Sequence, residues 1–354
     1  MSYTLPGIAE LADAPFDDII DVRSPAEFAE DHLPGALSLP VLSNAERARV
    51  GTIYTQDSPF RARKLGAAII ARNIAGHLDR HFAGKPRDYR PLVYCWRGGQ
   101  RSGAMGIILK QVGWRAETLE GGYRTWRRAV VKQLYDTPVP APVVLLDGNT
   151  GTAKTDLLHR IAALGGQVLD LEGLARHRGS LFGAWPGGQP AQKAFESLLA
   201  SAVAQLDPSR PVLVEAESSR VGACNLPPQL WKAMMAAPRI RISAPLATRA
   251  KYLVEAYRDI AESADFAPLI EKLRPYHSRD TIAGWLDMHT SGDWEGLARE
   301  LMGAHYDPRY EKQRRRAGGE TGGTIELPDL GTASRQAAAR DVLEMAAQLA
   351  GTFS

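Results

Sequence analysis

Tyr94-Cys95-Trp96-Arg97-Gly98-Gly99-Gln100-Arg101-Ser102 follows the apolar run Pro91-Leu92-Val93 and precedes Gly103-Ala104-Met105-Gly106-Ile107-Ile108-Leu109. Two apolar runs separated by a glycine pair predict strand, tight loop and helix, with the cysteine where a buried strand ends. There the loop N–H groups and the positive end of the following helix both favour an anion. Such fields lower a thiol pKa and populate the thiolate. Arg97 and Arg101 add forked donors for a tetrahedral oxyanion. Cys95, Arg97 and Arg101 are therefore the candidate catalytic residues, and Trp96, Gly98, Gly99, Gln100 and Ser102 the anion loop around them. A plain core cysteine is the competing reading, but it gives an arginine- and glycine-rich loop no packing use.

Upstream, Ile19-Ile20-Asp21-Val22-Arg23 reads as a short strand, Ser24-Pro25-Ala26-Glu27 as a helix start, and Asp31-His32-Leu33-Pro34-Gly35-Ala36 as a turn. The succession DVRSPAEF, DHLPGA, YCWRGGQRS and LEGGYRTW (119–126) resembles a rhodanese domain over about residues 5–130. That resemblance implies an active-site cysteine carrying a persulfide or related chalcogen adduct, with Asp21 and Arg23 either structural or supporting its loop. Five residues separate Cys95 from Arg101, the spacing of cysteine-based phosphatases, where many sulfurtransferases have four; phosphatase chemistry stays open. Between Ser43 and Gly84 lies a charged helical insertion in which Arg61, Arg63, Lys64 and Arg72 are candidates for a polyanion path.

KQLYDTPVPAP (132–142) holds three prolines and no apolar period, which predicts a linker. After it, Val143-Val144-Leu145-Leu146-Asp147 reads as a buried strand. Gly148-Asn149-Thr150-Gly151-Thr152-Ala153-Lys154-Thr155 then reads as a phosphate-binding loop opening a helix over 156–163. In such a loop amides wrap a phosphate, the lysine bridges its oxygens and the threonine holds Mg²⁺. Gly148, Asn149, Thr150, Gly151, Thr152, Lys154 and Thr155 are thus candidates for phosphate binding. Ala153 stands where G-x-x-x-x-G-K-[ST] has glycine. If that position needs positive φ, the methyl group narrows the ligand choice, and ordinary ATP turnover does not follow.

Apolar strands at 167–171, 211–215 and 239–243, separated by helix-length segments, predict a parallel doubly wound sheet with ligands at its carboxyl edge. A strand at 324–327 and a helix at 337–349 complete it. Asp170, Glu172, His177 and Arg178 follow one strand, and Glu215, Glu217 and Arg220 another. Carboxylates there suit Mg²⁺ held through water and arginines suit phosphate; helix caps and local salt bridges are the alternative. Cys224, without a glycine-rich loop or flanking arginines, reads as structural, and no C-x-x-C pair or histidine cluster marks a metal-ligand set.

A length of 354 residues suits two cores. The expected fold is α/β throughout: a rhodanese-like domain over 1–131, the linker 132–142, and a P-loop NTPase-like domain over 143–354. Two cysteines exclude a disulfide framework, and no leader or long apolar run is present, which predicts a cytoplasmic protein with no membrane partner. A net charge of +3 permits a polyanionic partner, with 309–316 as the concentrated basic run.

Taken together, CWRGGQRS followed by a P-loop, DLEGLARHRGSLFG and EAESSRVG resembles the tRNA 2-selenouridine synthase family across nearly the full chain. The resemblance implies a transferase that converts wobble 2-thiouridine of tRNA into 2-selenouridine. The sulfur is first alkylated by geranyl diphosphate, and the geranylthio group leaves as selenium enters from selenophosphate. It implies Cys95 as the chalcogen-handling thiolate, tRNA bearing 2-thiouridine in its anticodon as partner, and selenophosphate synthetase as the donor's source. Geranyl diphosphate and selenophosphate are the implied co-substrates, with Mg²⁺ optional. The P-loop would then grip a prenyl diphosphate, and Leu, Met and Trp residues of the second domain would house its chain. The insertion arginines and the run 309–316 would meet the tRNA, whose wobble base must be splayed out. Rival readings are a sulfurtransferase or persulfide carrier fused to a nucleotide-binding or kinase-like domain, a ligand-gated scaffold, and a Cys95-dependent phosphatase.

Overall fold

An all-apolar strand must be covered on both faces, and two such strands, each ending in a glycine loop, organise two parallel sheets. The computed structural model describes residues 2–256, 258, 266–317 and 321–352. They divide into two units, Met1–Thr137 with Pro190–Gln205, and Pro138–Gln189 with Leu206–Ser354.

In the first unit β1 (Ser2–Tyr3), β2 (Asp18–Asp21), β3 (Leu37–Ser38), β4 (Pro91–Tyr94) and β5 (Glu117–Leu119) pair in the order β1-β5-β4-β2-β3, all parallel. β4 is central and wholly buried. α1 (Pro25–Glu30) starts at a Ser24–Glu27 capping box with proline in its first turn. α2 (Asn44–Gln56) and α3 (Pro59–His77) form the expected insertion, α4 (Gln100–Val112) leaves the cysteine loop, and α5 (Tyr123–Val131) follows β5. Ile20, Val93, Met105 and Leu109 share the core with Cys95.

In the second unit β6 (Val143–Gly148) opens into α6 (Lys154–Ala163), and β7 (Gln167–Leu169) into α7 (Leu171–Ala175). The strand expected over 167–171 stops at Leu169 because the Asp170 side chain accepts the Gly173 N–H and caps α7. α8 (Gln192–Ala204) precedes β8 (Val212–Glu215), the antiparallel pair β9 (Arg220–Val221) and β10 (Cys224–Asn225), α9 (Pro228–Ala236), β11 (Arg239–Ser243) and α10 (Leu246–Ala256). A helical group follows: α11 (Phe266–Glu271), α12 (Arg279–Ser291), α13 (Trp294–Leu301) and α14 (Asp307–Ala317). Then come β12 (Thr321–Glu326) and α15 (Thr332–Thr352). The sheet order is β12-β11-β6-β8-β7, all parallel, which sets the P-loop at the carboxyl end of the middle strand.

Two expected boundaries move. Lys132–Asp136, expected in a linker, continues helically from α5 and buries Leu134. α8, expected in the second domain, packs within the first unit. Ser197 Oγ accepts from Trp126 Nε1 at 3.0 Å and donates to Asp31 Oδ2 at 3.0 Å, and Glu196 receives Tyr135 Oη at 2.7 Å and the Arg127 guanidinium. Glu196 and Ser197 are buried along with Phe195, Leu199, Ala200 and Val203, so α8 docks with its buried polar groups paired.

Candidate active site

Cys95 sits at the end of β4 with 4% of its surface exposed. The loop beyond it turns through Gly98 at φ 67°, where a side chain would approach the Leu119 carbonyl oxygen to 2.8 Å. Gly122, at φ 60°, fits against the same loop: a side chain there would overlap the Cys95 carbonyl oxygen. Tyr123 N–H donates to the Cys95 carbonyl at 2.8 Å and Arg124 N–H to that of Trp96 at 3.1 Å. The GGYR segment therefore holds the cysteine loop from behind. The buried Asp21–Arg23 pair, with the Arg23 guanidinium 4.0 Å from the Tyr123 ring centroid, supports it as expected.

Burial pushes the Cys95 thiol up, but the Ser102 hydroxyl, the Ser102 and Arg97 N–H groups and the Arg101 charge outweigh it and bring the pKa below its ordinary value. Ser102 Oγ donates to Sγ at 3.2 Å. Gly99 and Gln100 are exposed, and Trp96 packs on Tyr123 at a centroid distance of 5.2 Å. The two arginines divide their work differently from the expectation. Arg101 donates to Glu27 Oε2 at 2.9 Å, an oxygen that Arg47 also meets at 2.9 Å, so it is a braced positive charge and not an open fork. Burial would raise the Glu27 carboxyl, yet Arg101 and the Ser24 hydrogen bonds hold it at about 2. Arg97 projects to solvent. The first turn of α4 also borders a cleft of about 960 Å³ lined by α2, α3 and α4.

The P-loop of the second unit is a second cradle. Gly151 stands at φ 81°, and a side chain there would come within 2.9 Å of the Arg249 carbonyl oxygen. Ala153, the departure from the glycine pattern, takes the left-handed conformation at φ 60° as the residue before α6. A methyl group in that region costs about 1 kcal/mol. Lys154 Nζ donates to the Gly148 carbonyl at 2.9 Å. Thr155 Oγ1 lies 3.0 Å from Glu172 Oε2 and 2.7 Å from Glu215 Oε1. Carboxylate oxygens of Glu172, Glu215 and Glu217 lie within 4.8 Å of one another. Burial and mutual repulsion push Glu172 up to about 7 and Glu215 well above the carboxylate range; Glu217 is raised chiefly by burial. Glu215 Oε2 is buried without a hydrogen-bond partner.

These carboxylates are the strand-end residues that the structure brings to the P-loop, together with Arg178, which lines its cavity of about 160 Å³. Others lie elsewhere. Asp170 is a helix cap and pairs with His159 at 2.9 Å. His177 Nδ1 accepts the Gly179 N–H at 3.1 Å, and burial draws its pKa down. Arg220 is spent on the β9–β10 hairpin, where Nε donates to the Gly222 carbonyl at 2.7 Å. Cys224 is buried, and burial pushes its thiol up, as a structural cysteine requires.

The supports of the P-loop carry no local sequence signal. Arg249, paired with Asp307 at 2.7 Å, donates to the Thr150 carbonyl at 3.0 Å, and Tyr310 lines the cavity. Arg314, read as part of a basic surface run, donates to Asn149 Oδ1 at 2.6 Å. Arg309 stacks 4.4 Å from the Tyr276 ring centroid; the side chain of Arg316 lies outside the described residues. Among the described residues no helix is long and apolar enough to cross a membrane.

Residues 7–129 match the rhodanese-like domain family, and 141–274 match the tRNA 2-selenouridine synthase AAA domain. A tRNA 2-selenouridine synthase of Hahella chejuensis is 34% identical over 330 residues, covering 83% of this chain and 85% of the relative. The chain belongs to the tRNA 2-selenouridine synthase family. Other members are those of Aeromonas salmonicida, 36% identical over 258 residues (72% and 68% covered), and Pseudomonas syringae pv. syringae, 31% identical over 335 residues (84% and 88%). With that family the chain is a tRNA-modifying transferase. The tRNA 2-selenouridine synthase AAA match includes Ala153 and the three glutamates but ends before Asp307, Tyr310 and Arg314.

Proposed function

We propose that this chain forms 2-selenouridine at the wobble position of tRNA through an S-geranyl-2-thiouridine intermediate. In the first step the C2 sulfur bonds to C1 of geranyl diphosphate, and diphosphate leaves with the electron pair of the broken C–O bond. The P-loop amides and Lys154 are the groups that receive it. In the second step selenium from selenophosphate bonds to C2, geranylthiol leaves with a proton, and water takes the phosphoryl group as phosphate. Cys95 belongs to this second step as the thiolate that handles selenium. Alkylation comes first because it turns a poor leaving group into a good one.

The observation that carries the reading is that one chain holds both cradles in different chemical settings, a thiol lowered by Ser102 and a P-loop with alanine before its lysine. A hard cation fits the second cradle, because its donors are all oxygens and Glu215 Oε2 lacks a partner. Thr155, Glu172, Glu215 and Glu217 would hold Mg²⁺, which when bound offsets diphosphate charge. Selenophosphate would reach Cys95 from a selenophosphate synthetase in the cytoplasm, where the tRNA is.

The test is mass analysis of nucleosides from 2-thiouridine tRNA incubated with protein, geranyl diphosphate and selenophosphate. Wild type is expected to yield geranylated and selenated uridine, and Cys95→Ala only the geranylated form. If a folded, tRNA-binding protein yields neither nucleoside, the persulfide-carrier reading replaces this one.

A further inference from the structure

Neither loop accounts for the cleft of about 960 Å³ in the first unit. Its size falls in the range of small-molecule sites, roughly 300–1,000 Å³. Val50 and Tyr54 of α2, Ile70 and Ile74 of α3 and Ile107 of α4 line it with hydrocarbon. Tyr54 is 54% exposed and Ile107 61%, and apolar side chains grouped around an open cleft mark a binding surface. Room is left by small residues: Gly66 and Ala67 face it, and nothing lies within 4 Å of where a side chain would sit at Gly51 or Gly103.

Its ionic groups are cationic. Arg47 and Arg101, both on Glu27, and Arg63 line it, and Gly99-Gln100-Arg101 is at once a cleft wall and the end of the Cys95 loop. A hydrocarbon trough with cations beside the Cys95 loop is complementary to an alkyl chain attached to a nucleotide phosphate. The second unit also has an apolar cavity beside Thr150, lined by Phe182, Trp294, Leu301 and Met302 as the expected Leu, Met and Trp pocket requires. Its volume is about 60 Å³, well under the roughly 150 Å³ that accepts a benzene ring. A ten-carbon chain needs more.

We propose that the α2–α3–α4 cleft binds the geranyl chain of S-geranyl-2-thiouridine in tRNA, turning C2 toward the Cys95 loop for the selenium step. The proposal rests on the geranylated intermediate proposed above. It makes Ala67 and Ile107 specificity-determining positions.

The test measures full-length protein binding to anticodon hairpins carrying S-methyl- or S-geranyl-2-thiouridine, by fluorescence anisotropy. Burying several methylene groups gives the wild type a preference for the geranylated hairpin on the order of a hundredfold. Ala67→Trp, which fills the trough, and Ile107→Glu, which charges it, each lower that ratio at least about tenfold. Both sites lie on exposed helix faces, and thermal melts check their folding. Full preference retained in both variants overturns the cleft. So does a wild type without preference that still makes geranylated nucleoside, in which case the reaction reading stands alone; a wild type that makes none removes that reading too.

Discussion

The Cys95 loop and the P-loop are the same backbone device, a buried parallel strand, a glycine turn and a helix start, set to different electrostatic ends. In the first, glycine occupies the left-handed position, and the amides lower a thiol. In the second, alanine occupies a left-handed position and three carboxyls are raised by burial, two of them also by their neighbours' charge. The first is complete from within, its amides, Ser102 and Arg101 all favouring the ionised form of its own thiol. The second gathers three buried carboxyls behind its loop, and the cation and phosphate ligand proposed above would complete it. The lesson is that loop shape selects for anions in general, while the side chains behind the loop decide whether the anion is the protein's own or a ligand's.

The largest expected effect separates the two loops by step. Cys95→Ala lowers selenation at least about a thousandfold while geranylation stays within about twofold, read from nucleoside mass spectra; a parallel loss of both would merge the loops into one step. Next, Lys154→Ala weakens geranyl diphosphate and inorganic diphosphate alike, on the order of a hundredfold by calorimetric titration. Unchanged affinity would take the diphosphate away from the P-loop.

A pH series sharpens the contrast in charge. The Glu172 carboxyl is raised to about 7 in the folded protein, so between the ordinary carboxylate range and pH 7 the folded state binds more protons than the unfolded one. Its stabilising contribution is present below that range and is lost as pH rises through about 7, by roughly 3 kcal/mol in the absence of divalent cation. Thermal melts from pH 5 to 8 should show this fall, with Mg²⁺ offsetting it and Glu172→Gln flattening it. On the other loop, Ser102→Ala should raise the Cys95 pKa, seen as an upward shift in the pH profile of iodoacetamide alkylation. The smallest change, Ala153→Gly, relieves the left-handed alanine and adds about 1 kcal/mol in denaturant melts.

Both strand–loop–helix units were legible in the sequence because apolar runs and glycines are local signals. Cys95, Ser102, Lys154, Thr155 and the three glutamates all reach the expected loops. What was illegible is long-range. Asp170 and Arg220 share strand ends with the glutamates, and only the turn that follows each decides that one caps a helix and the other closes a hairpin. Arg314 looks like a surface charge until α14 brings it to Asn149, far away in the chain. Arg101 looks like an open donor until Glu27 takes it. Charged residues report their partners, and partners are set by topology.

α8 has a consequence for synthesis. A ribosome delivers the chain from its N-terminus, yet the first unit needs Glu196 and Ser197 against Arg127, Tyr135 and Asp31. It is therefore complete only after the P-loop and β7 have already emerged. Domains commonly fold one after another during translation; here the earlier unit must wait, with Trp126 and Asp31 unsealed, for a helix encoded after the start of the later one. A gene cut at residue 137 would encode the Cys95 loop but not the helix that finishes its unit.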